Sequence, residues 1–304
     1  MSTYNFNDGK GPVPAHQHSN GGGWVADTAT VAVSAFVGPD AQVFGNAEVY
    51  GNALVYGNAL VSGDARVSDK ARVSGNAEVY GNALVSGDAQ VYDNAQVSGK
   101  ARVFGNVEVY GNAVVFGNAQ VSGKARVFGN AVVYGNVEVY GNAVVFGNAL
   151  VSGDAQVYDN AQVSGKARVS GNAKVYGNAV VSDKAEVYGN AQVSDYARVS
   201  DKAQVYGKAQ VSDNAVVSGN AQVYGNAKVT KTPVRISRSD GYDFIIVPCA
   251  DIVDRIIAGC RYFTYEEADE HWNKEHKMYT ETSIILEALK KLYELQKTSK
   301  EGEM

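Results

Sequence analysis

Apolar and polar positions recur along most of this chain with a period of six, which matches neither a helix nor a plain alternating strand. Valine stands at every sixth position from Val25 to Val229, thirty-five valines without an insertion or deletion. A small residue, nearly always alanine, precedes each valine by two. One unit reads Ala53, Leu54, Val55, Tyr56, Gly57, Asn58. In extended backbone, side chains alternate between faces, so Ala and Val share one side while the residue between them and the residue after Val share the other. Gly-Asn and Gly-Asp are turn pairs because both residues tolerate positive φ. The period therefore predicts a four-residue strand and a two-residue corner. A hairpin meander of such short strands would leave a flat sheet with open edges. A corner instead of a reversal keeps Ala and Val inside, so successive strands wrap a tube in which valine stacks on valine.

On these residues the chain resembles the hexapeptide-repeat family over about residues 25–230. The resemblance implies a left-handed triangular parallel β-helix with three units per coil. Handedness rests on the resemblance alone, since the general preference for right-handed crossovers points the other way. At three units per coil the span makes about eleven coils, and at ~4.8 Å per coil a rod about 50 Å long. The departures are few. Val107 and Val137 replace the small inner residue, Tyr196 occupies a corner, and the units around Val25, Val31 and Val37 lack the Gly-Asn pair, as a starting cap would.

The flanks differ in kind. Residues 1–24 have loop composition and are expected to cap the first coil, with Trp24 closing the end. Thr232-Pro233 marks the exit, because proline cannot donate to a ladder. Residues 231–304 read as a small α+β domain. Val234–Ser237 and Tyr242–Val247 flank the hairpin signal Asp240-Gly241, and Val253–Ala258 offers a third strand. Thr264 with Glu267 fits a capping box opening a helix through Trp272. A second helix is expected from about Thr282 to Lys297, with Ile284, Ile285, Ala288, Leu292 and Leu295 as its apolar stripe. Gly11-Pro-Val-Pro-Ala-His16, Asn20-Gly-Gly-Gly-Trp-Val25 and Ala258-Gly-Cys-Arg261 with Phe263-Thr264 are similar to bacteriophage and prophage proteins bearing hexapeptide repeats, which implies a phage origin.

Charge changes the picture mainly by exclusion. The formal net charge is −5, with basic and acidic residues interspersed. No basic stripe follows a nucleic-acid backbone, so no nucleic-acid partner is expected. No apolar run opens the chain and none approaches the length of a membrane span, so neither a signal peptide nor a membrane partner is expected. Two cysteines, Cys249 and Cys260, make no disulfide framework. The expected location is the host cytoplasm or the virion.

The resemblance brings chemistry to test. Acyltransferases of the family use a histidine general base, and its carbonic anhydrases use three zinc-binding histidines. Between His18 and His271 this chain has no histidine, and it carries no excursion loop to wall an acyl-CoA cleft. A base must reach the acceptor's proton, and zinc needs three or four ligands. His16 with His18 and His271 with His276 have compatible spacings but fall short of a set. Cys260 lacks an evident base and reads as a buried small hydrophobe. A threonine array for ice is absent. The expectation is a non-enzymatic chain with no catalytic residue, metal or cofactor, acting as a phage or prophage structural or binding scaffold. Two alternatives stand beside it: an acyltransferase assembled from the ends with His271 or His276, and a protein sequestering a small ligand such as a nucleotide, using Arg126 and Arg198.

Outward positions eighteen apart should stack. One face then carries Tyr92, Tyr110, Phe128 and Phe146, with Val144, Val180 and Val216 alongside. A second carries Tyr140, Tyr158 and Tyr176, and a third Tyr188, Tyr206 and Tyr224. Such rows suit strands and stabilise one another by about 0.2–1 kcal/mol per pair. As contiguous exposed aromatics they equally suit an interface. A homo-oligomer is the expected partner, a trimer by resemblance, with a phage or host protein as the other.

Overall fold

The structure is a computed structural model, described here for residues 2–247, 254–258, 261–273 and 276–298. It is mainly β, a parallel β-solenoid of about eleven turns followed by a short region of strands with two helices. The chain forms two compact units, Met1–Gly171 and Asn172–Met304.

In the first unit the six-residue period becomes three faces. Leu54 and Val55 pair in parallel with Arg72 and Val73, Glu48 and Val49 with Arg66 and Val67, and Leu60 and Val61 with Glu78 and Val79. Each face therefore repeats every eighteen residues. Every repeat valine from Val37 onward is at most 1% exposed, and burying each such side chain is worth about 1.5–3 kcal/mol. The predicted four-residue strand is shorter in most units. Ladder pairing covers only the residue before valine and the valine itself, as in Leu54–Val55, because the backbone turns on both sides of that pair.

The corners explain the residue choice. Gly111 has φ +71°, and a Cβ there would sit 2.9 Å from the amide nitrogen of Gly129 in the next coil. Where aspartate replaces this glycine, as at Asp69 and Asp93, φ is also positive. Its carboxylate accepts the next coil's N–H, from Gly87 at 3.0 Å and from Gly111 at 3.2 Å. The following corner residue forms a ladder of its own: Asn58, Asn76, Asn94, Asn112, Asn130 and Asn148 pass side-chain hydrogen bonds of 3.0–3.3 Å from coil to coil. Val107 and Val137, too large for alanine's place, widen the corners ahead of them. Gly105 and Gly135 reach φ +86° and +92°, against +66° to +74° at the other repeat glycines, and pairing extends into four-residue strands at Arg102–Gly105 and Val132–Gly135.

The head is more regular than its composition suggested. Thr3–Tyr4 and Val13–Gln17 are antiparallel strands, and the second pairs with Trp24–Ala26 of the first coil. Phe6, Ala15 and Ala26 form a small core with Tyr4, Val13, Trp24 and Phe44 around it, and Tyr4 stacks on Trp24 at 4.5 Å. Periodicity could not announce these strands, because their apolar contacts are with rings of other segments.

In the second unit the coils keep the same register, as in Lys174↔Gln192 and Val175↔Val193. An antiparallel sheet follows, ordered as its strands occur: Val234–Ser237, Asp243–Val247, Arg255–Ala258 and Arg261–Phe263. The hairpin at Gly241 (φ +82°) is as expected, and Arg261–Phe263 is an additional strand. One sheet face, with Phe244, Ile246, Ile256 and Ala258, packs on Ala268, Trp272, Ile285, Leu286, Leu289 and Tyr293. These come from helix α1, Tyr265–His271, its C-cap Trp272, and helix α2, Tyr279–Thr298. The other face lays Ile245 beside Val216, Val217 and Ala221 of the last coils. Thr264 and Glu267 make the expected capping box.

Helix α2 corrects the expected stripe. Ile284, Leu292 and Leu295 are 63%, 47% and 65% exposed, and the buried line is Thr282, Ile285, Leu286, Leu289 and Tyr293. Apolar residues cover more of this helix than one sheet can bury. Polar clamps set its rotation. Arg238 donates to Thr282 Oγ1 at 2.9 Å, and Glu281 accepts from the Ser239 amide and hydroxyl, both at 2.6 Å.

Candidate functional site

Parallel pairing fixes where the outward rings fall. On the Val55 face, Tyr92, Tyr110, Phe128 and Phe146 stack in succession at 4.8, 4.7 and 5.1 Å, with interplanar angles of 2–10°. On the Val49 face, Tyr140 stacks on Tyr158 at 4.8 Å, while Tyr176 belongs to the second unit, where its hydroxyl donates to Gln192 Oε1 at 3.4 Å. Tyr188, Tyr206 and Tyr224 stack at 4.9 Å in the second unit. One further pair, Phe116 on Tyr134 at 5.0 Å, escaped the sequence reading although the same spacing of eighteen would have found it.

The rings lie nearly parallel, spaced by the coil repeat, so their edges meet solvent and their faces meet each other. Ladder members are half-buried, whereas Tyr56 and Tyr80, with serine or glycine on both neighbouring rungs, are 39% and 38% exposed. Burial, helped by Glu108, pushes the Tyr92 phenol up to about 12. Burial also raises Tyr140 and Tyr188, helped by Glu138 and Glu186. Charged residues flank the ladders: Arg126 lies 5.9 Å over the Phe128 ring, and Arg66 pairs with Glu48 at 2.9 Å.

The histidines have local partners. His16 Nδ1 lies 2.9 Å from Asp27 Oδ1 on the surface. His18 is buried, and its Nε2 donates to the Ala35 carbonyl at 3.1 Å. His271 packs on Phe263 and Trp272. Partial burial, with the charges of Arg261 and His276, lowers its pKa. His276 Nδ1 accepts from the Met278 amide at 3.2 Å. Cys249 and Cys260 lie outside the described residues. Among the described residues, no three His, Cys, Asp or Glu side chains group as metal ligands, and no helix is long and apolar enough to cross a membrane.

Fold and site together define a β-helix repeat protein with side-chain ladders on its outer faces. The YdcK beta solenoid repeat matches at residues 48–63, 53–69, 71–87, 77–93, 109–123, 155–171, 167–183 and 209–225. Among solved structures, the chain is similar to an Arabidopsis UDP-N-acetylglucosamine acyltransferase, at 15% identity and a TM-score of 0.24, over 71% of this chain and 73% of that one. No curated protein matches. The expectation that the chain is not an enzyme is corrected here. Missing histidines in the repeats do not exclude activity, so the exclusion drawn from the sequence does not stand, and the acyltransferase likeness decides nothing either way. A likeness this distant assigns no activity in its place, and enzymatic status is not established.

Proposed function

We propose that this protein is a β-helical scaffold whose outer faces are binding surfaces, and that its first partner is another copy of itself. The observation that carries this is the unbroken stack of Tyr92, Tyr110, Phe128 and Phe146, which aligns four ring edges on one face beside the half-buried Val144. Contiguous aromatic surface is enriched where proteins associate. A trimer, the habit implied by the hexapeptide resemblance, is the assembly expected. The head and tail motifs support a phage or prophage setting, checked by mass spectrometry of purified particles.

Sedimentation of the full chain tests the proposal. Serine occupies the same outward position in many coils, for example Ser74 and Ser164, so replacing the four rings by serine should leave the coils folded. The wild type is expected to sediment as an oligomer and the variant as a monomer. A monomeric wild type would sink self-association, and an oligomer that survives all four replacements would remove this face from it.

A further inference from the structure

The ladders have missing rungs, and one of them has the makings of a ligand site. Four times in the first unit, a single serine separates two aromatic rungs on the same face: Phe44–Ser62–Tyr80, Tyr80–Ser98–Phe116, Phe104–Ser122–Tyr140 and Tyr56–Ser74–Tyr92. Two rungs of parallel strand hold the outer rings about 9.6 Å apart. A flat ring lying midway would face each at about 4.8 Å, the distance at which Tyr92 already lies from Tyr110. Each gap is thus a slot one aromatic ring thick, floored by a serine.

The neighbours on the gap's own rung tell the four apart. Outward positions two apart in a strand share a face, so the residue two before each serine sits beside its slot. Those residues are Leu60, Gln96, Gln120 and Arg72. Arg72 lies between Leu54 and Gln90 in the ladder, is exposed, and pairs with no carboxylate among the described residues. Ser74 is 9% exposed, and its hydroxyl makes no side-chain hydrogen bond there. Tyr56 is 39% exposed, with Gly38 on its other neighbouring rung. Tyr92 is held from behind by Tyr110. Two rings, a floor hydroxyl and a guanidinium without a carboxylate partner among the described residues therefore lie on three successive rungs of one face.

We propose that the Tyr56–Ser74–Tyr92 slot binds a planar aromatic anion, its ring sandwiched between the tyrosines and its acidic group on Arg72. Stacking between two rings combined with an arginine contact is the chemistry by which proteins hold nucleotides. The site deepens the proposed role of the outer faces as binding surfaces. It does not depend on self-association, so sedimentation and ligand binding can fail separately.

The test is fluorescence titration of the full chain with flavin mononucleotide, whose emission is quenched on stacking against tyrosine, alongside riboflavin, which has the same ring without the phosphate. Ser74→Tyr completes the ladder with its own ring and is expected to weaken mononucleotide binding at least about tenfold, the arginine-flanked slot being lost, while leaving thermal unfolding at or above the wild-type temperature. Arg72→Gln is expected to weaken the mononucleotide by about tenfold, the order of one charge-assisted contact, and to leave riboflavin unchanged. Ser122→Tyr, which fills a slot beside glutamine, is expected to leave mononucleotide binding intact. Absence of mononucleotide binding to the wild type, mononucleotide affinity unchanged in Ser74→Tyr, or equal loss of both ligands in Arg72→Gln would overturn the proposal.

Discussion

The coils and the C-terminal sheet with its helices bury hydrophobic surface in opposite ways. In the coils the core is a row of valines, each touching its equivalent eighteen residues on, as Val109 pairs with Val91 and Val127. Near the C-terminus one cluster joins residues from Phe244 to Tyr293 without periodicity, and Phe244 meets Trp272 edge-on at 5.0 Å. A defect in a coil is shared with its two neighbours only, whereas a defect in the cluster reaches every element there. A small inner residue is enough in a coil because the next coil is always at hand. The cluster needs large rings because it must close on itself.

That contrast can be broken most forcefully at Phe244. Phe244→Ala empties the centre of the cluster and should cost about 3–5 kcal/mol. Hydrogen exchange should then speed up throughout Val234–Tyr293 while the valine amides of the coils from Val37 to Val169 stay protected. Loss of protection in both would show that the two kinds of core are not independent.

Glycine gives a finer test. Gly111 and Gly241 both have positive φ, but only Gly111 faces backbone, while nothing lies within 4 Å of a Cβ at Gly241. Each change to alanine carries about 1–2 kcal/mol of left-handed strain, and Gly111→Ala should be the more costly of the two in denaturant unfolding. Gly111→Asp should recover about 1 kcal/mol of that loss, because its carboxylate can accept the Gly129 N–H as Asp93 accepts that of Gly111. Equal costs at all three would remove the corner contact as the reason for glycine.

Deletions probe register. Removing residues 97–114 takes out one whole coil and should leave the chain folded, with the ladders re-formed. Removing six moves Tyr110 off the face of Tyr92 and Asn112 off that of Asn94, forfeiting about 0.2–1 kcal/mol for each broken pair. If both deletions unfold the protein alike, stability is not a sum over neighbouring coils.

The smallest effect is electrostatic. The Tyr92 phenol is raised from 10.0 to about 12, so between those values the folded chain keeps a proton that the unfolded chain has released. Its contribution to stability is complete below pH 10 and is lost as pH rises through 12. Phenolate absorbance should show a late-titrating tyrosine, and Glu108→Gln should make it titrate earlier. An unchanged titration in that variant would exclude Glu108 as a cause.

Most of the fold was legible because one contact type repeats. Once Ala and Val share a side and glycine marks a corner, the spacing of eighteen places Tyr92 on Tyr110 and Asn94 on Asn112. What was not legible depends on partners far away in sequence. The head strands are held by Tyr4, Phe6 and Trp24 meeting rings of other segments. The rotation of α2 is decided by Arg238 and Glu281 gripping the hairpin, which no helical periodicity contains, so Ile284, Leu292 and Leu295 were assigned to the wrong side. The widened corners before Val107 and Val137 were visible as exceptions, but their effect on backbone geometry was not. The exclusion of enzymatic activity rested on missing histidines, a weaker argument than any of the contacts above.

Near-identical coils leave a growing chain with an ambiguity that an ordinary domain never meets. Sliding a strand by one full coil sets valine on valine again, and the inner rows cannot tell the error from the answer. Only features with a single possible mate can. His18 and Asn20 both donate to the carbonyl of Ala35, and no second Ala35 exists with that pair above it. Such one-of-a-kind fastenings act as the zero mark on a ruler, and a chain that lost them would be expected to fold into a mixture of frame-shifted isomers of nearly equal energy.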